Sequence, residues 1–252
     1  MLSITEHPQS VVSHCEVSVI MPAYNEEEYI AQAVWEVDCI LRGISESYEI
    51  VVVDDGSVDQ TRRQIQNYAR THQHIKVVGY SHNMGKGYAL KYGFSQAAGE
   101  KIILLDGDRN ISPEQIGAYL KALEGADIAI ASKRHPQSKV KSPLKRKFLS
   151  RAFHLLAKLL VGVKVSDTQT GLKAFRRRAL DAILKMQRVR AYAFDVEVLA
   201  LAAILRMQVV ELPVKMELTG DISFRSILRM FSDLLGIAYR LRVKRSYQCS
   251  LS

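Results

Sequence analysis

Two aspartates one residue apart, Asp106 and Asp108, are the residues whose type and spacing point most directly to chemistry. They follow Lys101-Ile102-Ile103-Leu104-Leu105, whose apolar run reads as a strand buried on both faces. Side chains alternate along an extended chain, so both carboxylates project to one side. Gly107 between them lets another backbone or a ligand come close. Carboxylates so placed suit a hard divalent cation, Mg2+ or Mn2+, which takes oxygen ligands and is shared with substrate phosphates. A solvated turn after a buried strand has the same spelling, so the rest of the chain decides.

Further polar stretches of the same kind precede and follow this pair. Pro22-Ala23-Tyr24-Asn25-Glu26 closes a β-rich run that begins at Val17. Asp54-Asp55-Gly56-Ser57 closes a second, over residues 49–53. Either Asp54 or Asp55 has the chemistry to accept hydrogen bonds from a base or a ribose; the plainer reading is a turn with a helix cap, from Ser57 and Asp59. Lys86, between Gly85 and Gly87, suits a phosphate as a point charge, or stands as a solvated loop lysine. Asp167 is the only acid among residues 131–178, and both a structural ion pair and a catalytic role are open to it.

The elements that must position these residues alternate. Strands are expected at 17–21, 49–53, 75–79, 101–105 and 127–131, with helices between them, which predicts βαβ units and a mostly parallel sheet in an α/β fold. Ligands of such sheets bind outside the carboxyl ends of the strands. Tyr24, Asn25, Glu26, Asp54, Asp55, Lys86, Asp106 and Asp108 are therefore expected to converge on one crevice. There is no G-x-G-x-x-G after the first strand and no G-x-x-x-x-G-K-[ST], which argues against a dinucleotide oxidoreductase and a P-loop enzyme. A last strand is expected over 209–216, with Pro213 favouring an edge or a bulge.

Charge divides the chain. The net charge of +9 is uneven: residues 1–130 carry 10 Lys and Arg against 18 Asp and Glu, and residues 131–178 carry 14 against one. So basic a segment looks for polyanions. Nucleic acid is not expected, because no stacking-aromatic or recognition-helix pattern accompanies it. Residues 142–161 interleave Lys145, Arg146, Lys147, Arg151 and Lys158 with Phe148, Leu149, Phe153, Leu156 and Leu160. That pattern either lies in a membrane interface or packs on the body of the protein. The same choice applies to a helix expected over 226–241. No apolar run reaches the roughly 18 residues of a membrane span. Residues 1–14 lack a signal pattern and are expected to form a loose tail on a cytoplasmic chain. Residues 15–217 are expected to form one domain, with 218–252 a basic amphipathic helical extension of it. The three cysteines and seven histidines are scattered without metal spacing.

Together, Pro22-Ala23-Tyr24-Asn25-Glu26, Val53-Asp54-Asp55-Gly56-Ser57, Asn83-Met84-Gly85-Lys86-Gly87 and Asp106-Gly107-Asp108 resemble the family 2 inverting glycosyltransferases with the GT-A fold. Ser166-Asp167-Thr168-Gln169-Thr170-Gly171 and Ala193-Phe194-Asp195-Val196-Glu197 look like the polyprenyl-phosphate branch, closer to the dolichyl-phosphate glucose than to the mannose synthases. The resemblance implies metal-dependent transfer of a hexose from a nucleotide-sugar donor to a polyprenyl or dolichyl phosphate. UDP-glucose is favoured, and GDP-mannose or another acceptor is the alternative. The donor would meet Pro22 to Glu26, Asp54, Asp55, Gly56, Lys86 and Gly107. Lys133 or Arg134, with Arg146 and Ser150 one helical turn apart, would hold the acceptor phosphate. The protein would sit peripherally on the cytoplasmic face of a membrane, with room for a membrane-protein partner. Three features depart from the pattern. Residues 1–14 show no anchor, Asn110 stands where the mannose synthases often have Gln, and no arginine of theirs is matched near residues 217–220.

Overall fold

The computed structural model describes residues 15–191, 193–218, 224–244 and 247. The expected tail over residues 1–14 and most of the chain past residue 244 lie outside the described residues. Nine strands and eight α-helices are described: β1 Val17–Ala23, α1 Ile30–Arg42, β2 Tyr48–Asp55, α2 Thr61–Ala69, β3 Ile75–Tyr80, α3 Lys86–Gln96, β4 Lys101–Leu105, α4 Ile116–Ala122, β5 Ile128–Ser132, β6 Lys139–Lys141, α5 Leu144–Val161, β7 Leu172–Arg176, α6 Arg177–Met186, α7 Phe194–Ile204, β8 Val209–Pro213, β9 Lys215–Glu217 and α8 Phe224–Arg242. Pro113 opens a short 3-10 turn that leads into α4.

Seven strands form one sheet in the order β3-β2-β1-β4-β7-β5-β8. All are parallel except β7, which runs antiparallel between β4 and β5. The period-2 alternation of the strands sends alternate residues to opposite layers. Val19, Met21, Ile103 and Leu105 join α1, α2 and α4 on one face. Ile20, Ile102 and Leu104 join α3, α6 and α7 on the other. Both faces of the inner strands are therefore dry, which is why their sequences are continuous apolar runs.

The reading of the first half holds within a residue or two per element. The last strand does not stay whole. Residues 209–216 divide at Pro213 and Val214: β8 closes the large sheet at its edge, and β9 pairs with β6 in a two-stranded sheet. Proline has no N–H to donate, so the ladder ends there. Nor does Ser57 cap α2. Its hydroxyl accepts the Asn25 N–H at 3.0 Å, and the residue preceding the helix is Gln60.

Helices α5 and α8 pack on each other through Phe153, Ala157, Leu234 and Ile237. Arg242 fastens them by donating to the Leu159 carbonyl at 2.6 Å. Phe153 is thus core, with Leu156 and Leu160 partly buried beside it. The apolar residues left outside on α5 are Leu144, Phe148 (76% exposed), Leu155 and Leu159. At about 100° per residue they fall within about 60° of arc. Leu228, Phe231, Leu235 and Tyr239 make a similar exposed stripe on α8. No helix among the described residues is long and apolar enough to cross a membrane.

Candidate active site

Strands β2, β1 and β4 are neighbours and end together, with Ala23 opposite Asp54 in register. Their carboxyl-end loops therefore meet. The first two loops are laced by side chains. Asn25 sits at φ 55, its Oδ1 accepts the Val58 N–H at 3.0 Å, and Thr61 accepts the Glu26 N–H at 2.8 Å. Gly56 is at φ 72, and a Cβ there would stand 2.4 Å from the His82 carbonyl carbon. No side chain fits at that turn.

Asp54 and Asp55 are both buried but are used differently. Both oxygens of Asp55 are spent on the chain itself: Oδ1 accepts from Tyr80 at 2.7 Å and from the Met84 N–H at 2.8 Å, and Oδ2 accepts from the Gly85 N–H at 3.0 Å. Asp55 therefore fixes the loop that delivers Lys86. Asp54 accepts the Ser57 N–H at 3.0 Å and has the Arg62 guanidinium 4.0 Å away.

Lys86 opens α3 and reaches the end of β4. Its ammonium lies 2.7 and 2.9 Å from the two oxygens of Asp106, and 3.6 Å from Asp195 Oδ2. Asp195, in the first turn of α7, also takes Lys173 at 2.8 Å. Asp106, Lys86, Asp195 and Lys173 thus form a row of alternating charge. Burial opposes the ammonium of Lys86, but Asp106 and Asp195 outweigh it and raise its pKa. Burial likewise works against the Asp195 carboxylate and is outweighed by Lys173 and Lys86, which lower its pKa. Asp106 goes the other way: burial, with Asp108 and Asp195 nearby, raises its carboxyl against the pull of Lys86.

Asp108 accepts from the Asn110 N–H at 3.1 Å and from the Asn110 side chain. Glu26 faces this pair. Burial and then the charges of Asp108 and Asp106 push its carboxyl up to about 7. Among the described residues no group of three or more His, Cys, Asp or Glu is arranged to hold a metal by itself. The residues nonetheless fit a hard divalent cation whose remaining ligands come from a bound diphosphate. All the nearby donors are oxygens, and the surplus negative charge that raises Glu26 is the charge such an ion offsets. Gly107 packs against α1: a Cβ there would meet Ile30 Cδ1 at 2.9 Å.

The loop before β7 completes the wall. The Asp106 N–H donates to the Gly171 carbonyl at 3.2 Å, and a Cβ on Gly171 would lie 2.1 Å from Asp106 Oδ2. Asp167 is nearly dry. It accepts from the Lys133 N–H at 2.8 Å, from Lys133 Nζ at 2.8 Å and from the Thr170 hydroxyl at 2.6 Å. Burial works to raise its carboxyl, and the Lys133 charge and hydrogen bonds outweigh burial, holding it well below the ordinary carboxylate range. The pair therefore stabilises the fold above the ordinary carboxylate pKa, and that contribution is lost as pH falls through the lowered one. Asp167→Asn is expected to cost about 3 kcal/mol near neutrality, because Lys133 is left buried and uncompensated. Urea denaturation should show the gap to wild type narrowing as the buffer is acidified.

Of the other expected contacts, Arg134 donates to the Ser166 carbonyl at 2.6 Å, and Arg146 and Ser150 lie half-buried on α5. Tyr24 is exposed at the mouth. Three residues absent from the expected site belong to it or hold it: Asp195, Lys173 and Glu197. Glu197 is fully buried and accepts from the Arg188 and Val189 N–H groups at 3.0 and 2.7 Å, and from Tyr247. The loop it fixes presents the Arg190 carbonyl to the Gly87 N–H at 2.8 Å, at the start of α3. The available signal was charge inside an otherwise apolar helix: Asp195 and Glu197 interrupt Phe194-Asp195-Val196-Glu197-Val198-Leu199.

Known proteins resemble this chain in sequence and in fold. Residues 18–184 match Glycosyl transferase family 2. A dolichyl-phosphate beta-glucosyltransferase of Trichomonas vaginalis is 34% identical over 242 residues, which cover 90% of this chain and 74% of that protein. The dolichyl-phosphate beta-glucosyltransferase of Homo sapiens is 32% identical over 244 residues, covering 89% and 75%. In fold, the chain superposes on glucosyl-3-phosphoglycerate synthase from Mycobacterium tuberculosis, solved with Mn2+, uridine-diphosphate and phosphoglyceric acid. The TM-score is 0.70 at 19% identity, covering 89% of this chain and 78% of that one. The mostly parallel sheet flanked by helices is accordingly the GT-A fold, and the chain belongs to glycosyltransferase family 2 and is a glycosyltransferase.

Proposed function

We propose that the enzyme transfers glucose, with inversion, from UDP-glucose to a polyprenyl phosphate of the dolichyl type, with Mg2+ or Mn2+ held by Asp106 and Asp108. The observation that carries this reading is the acidic pocket of Glu26, Asp106 and Asp108 at the strand ends, beside a chain segment rich in cations. The dolichyl-phosphate beta-glucosyltransferases among its relatives support the sugar and the acceptor. The bound cation would supply charge that stabilises the departing nucleoside diphosphate. Asp106 and Asp108 would hold it, and Lys86 is within reach of the same phosphates. Asp55 acts through the backbone of Met84 and Gly85, which leaves Asp54 the better placed of the two to meet the base.

An acceptor phosphate is already anionic near neutrality, so it needs placement more than proton removal. Lys133 is committed to Asp167, which favours Arg134, together with Arg146 and Ser150, for that phosphate. The exposed stripes of α5 and α8 would rest in the membrane interface where the lipid resides. Each basic residue near an anionic leaflet contributes roughly 1 kcal/mol, screened by salt. Binding to phosphatidylserine vesicles should fall steeply as salt rises, and Phe148→Ser with Leu159→Ser should weaken it about tenfold or more in sedimentation while the melting temperature holds. A pair of variants that sediments like wild type removes the stripe from the interface.

The test of the whole reading is a panel of UDP- and GDP-sugars against a short polyprenyl phosphate, with each metal. Turnover of UDP-glucose supports it. Turnover of GDP-mannose alone replaces the donor, and turnover only with a water-soluble acceptor replaces the lipid.

A further inference from the structure

The Lys86 ammonium bridges Asp106, touching both carboxylate oxygens, at 2.7 and 2.9 Å. A divalent cation on the same carboxylate would face that ammonium at close range, and the two repel. The lysine must therefore have somewhere else to go. Asp195 offers the place. Its Oδ1 is taken by Lys173 at 2.8 Å, while its Oδ2 faces Lys86 at 3.6 Å, just beyond hydrogen-bond length. Asp195 cannot drift to meet the lysine, because Lys173 is itself pinned by the Thr170 carbonyl at 2.6 Å and both side chains are almost fully buried.

We propose that Asp195 is the second seat of the Lys86 ammonium: Lys86 neutralises Asp106 while the site is empty, and moves toward Asp195 and the incoming diphosphate when a divalent cation takes Asp106. The inference rests on the donor and metal reading above. Asp195 and Lys86 are then positioning residues that couple cation binding to donor binding. The cation alone must evict the lysine, whereas a nucleoside diphosphate supplies new anionic partners for it. Metal and nucleotide consequently bind far better together than apart. A resident ammonium also keeps the half-buried carboxylate from being left without a counter-charge between turnovers.

The experiment is a binding cycle with Mn2+ and UDP, with free Mn2+ read by electron paramagnetic resonance, on the full chain and on Lys86→Gln, Lys86→Arg and Asp195→Asn. In wild type, UDP should tighten Mn2+ at least tenfold. Lys86→Gln should bind Mn2+ alone about fivefold or more tightly than wild type, and UDP should then add little. Lys86→Arg keeps the charge but grips Asp106 with a two-pronged group, so bare Mn2+ should bind no better than in wild type. Asp195→Asn should weaken bare Mn2+, its lysine having lost the second seat. A crystal structure with Mn2+ and UDP should place Lys86 Nζ off Asp106 and within hydrogen-bond reach of Asp195 Oδ2 or a phosphate. A folded Lys86→Gln whose Mn2+ affinity and coupling match wild type overturns the proposal, as does a loaded crystal structure with Lys86 still on both Asp106 oxygens. If wild type binds no Mn2+ even with UDP, the metal reading itself fails, and the inference falls with it.

Discussion

Asp108→Ala is expected to lower kcat/KM by about a thousandfold or more, because a cation that stabilises the leaving diphosphate is worth several kcal/mol of barrier. EDTA should do the same to wild type and be reversed by Mn2+. The fold should survive. Asp108 is only half-buried and accepts from its neighbour Asn110, so removing the carboxylate strands no distant group among the described residues. Its absence also relieves Glu26 of the strongest of the like charges acting on it, and a small gain in melting temperature is expected. The measurements are steady-state kinetics, Mn2+ binding with UDP, and a thermal melt on one preparation. Undiminished turnover in EDTA would remove the metal from the mechanism while leaving the fold and family untouched.

Gly171→Ala tests the other side of the same carboxylate. The added methyl would stand 2.1 Å from Asp106 Oδ2, well inside any real contact. Something must shift, and the choices are poor: Asp106 is held by Lys86, and its own N–H is tied to the Gly171 carbonyl. The variant should lose about a hundredfold in kcat/KM, the effect of displacing a catalytic group by roughly 1 Å. Overpacking should cost about 1–3 kcal/mol of stability. Gly125→Ala is the control, since a Cβ there meets nothing within 4 Å. Equal kinetics for both variants would mean that Asp106 does not need its present position.

How much of this was legible in the sequence follows from how far apart the partners lie. The strands ending at Asp55 and Leu105 announce themselves because both of their faces are apolar, a purely local pattern. The convergence of Glu26, Asp54, Lys86 and Asp106 needed only the rule that parallel strands present their carboxyl ends together. The ion row did not announce itself. Lys173 meets Asp195 across 22 residues, and Lys86 meets Asp106 across 20. No periodicity encodes such a pairing. Strand β7 was hidden for a related reason. Leu172-Lys173-Ala174-Phe175-Arg176 holds two cations, and a lysine that is nearly dry beside Asp195 looks in sequence like one in water. On α5 the apolar positions were visible, but their division was not. Phe153 and Ala157 go inward and Phe148 stays out, because α8, from the far end of the chain, covers one flank.

Strand β7 has a consequence for how the molecule comes together. It is the seam of the sheet: β4 and β5 never pair with each other, and only β7 between them joins the first four strands to β5 and β8. A nascent or partly folded chain in which β7 has not yet docked presents two raw edges, at β4 and β5, each able to recruit a foreign strand. The same docking brings the Gly171 carbonyl to the Asp106 N–H. Closing the seam and seating the carboxylate are thus one event. A molecule that has escaped aggregation at those edges has, by that step, also set the geometry at Asp106.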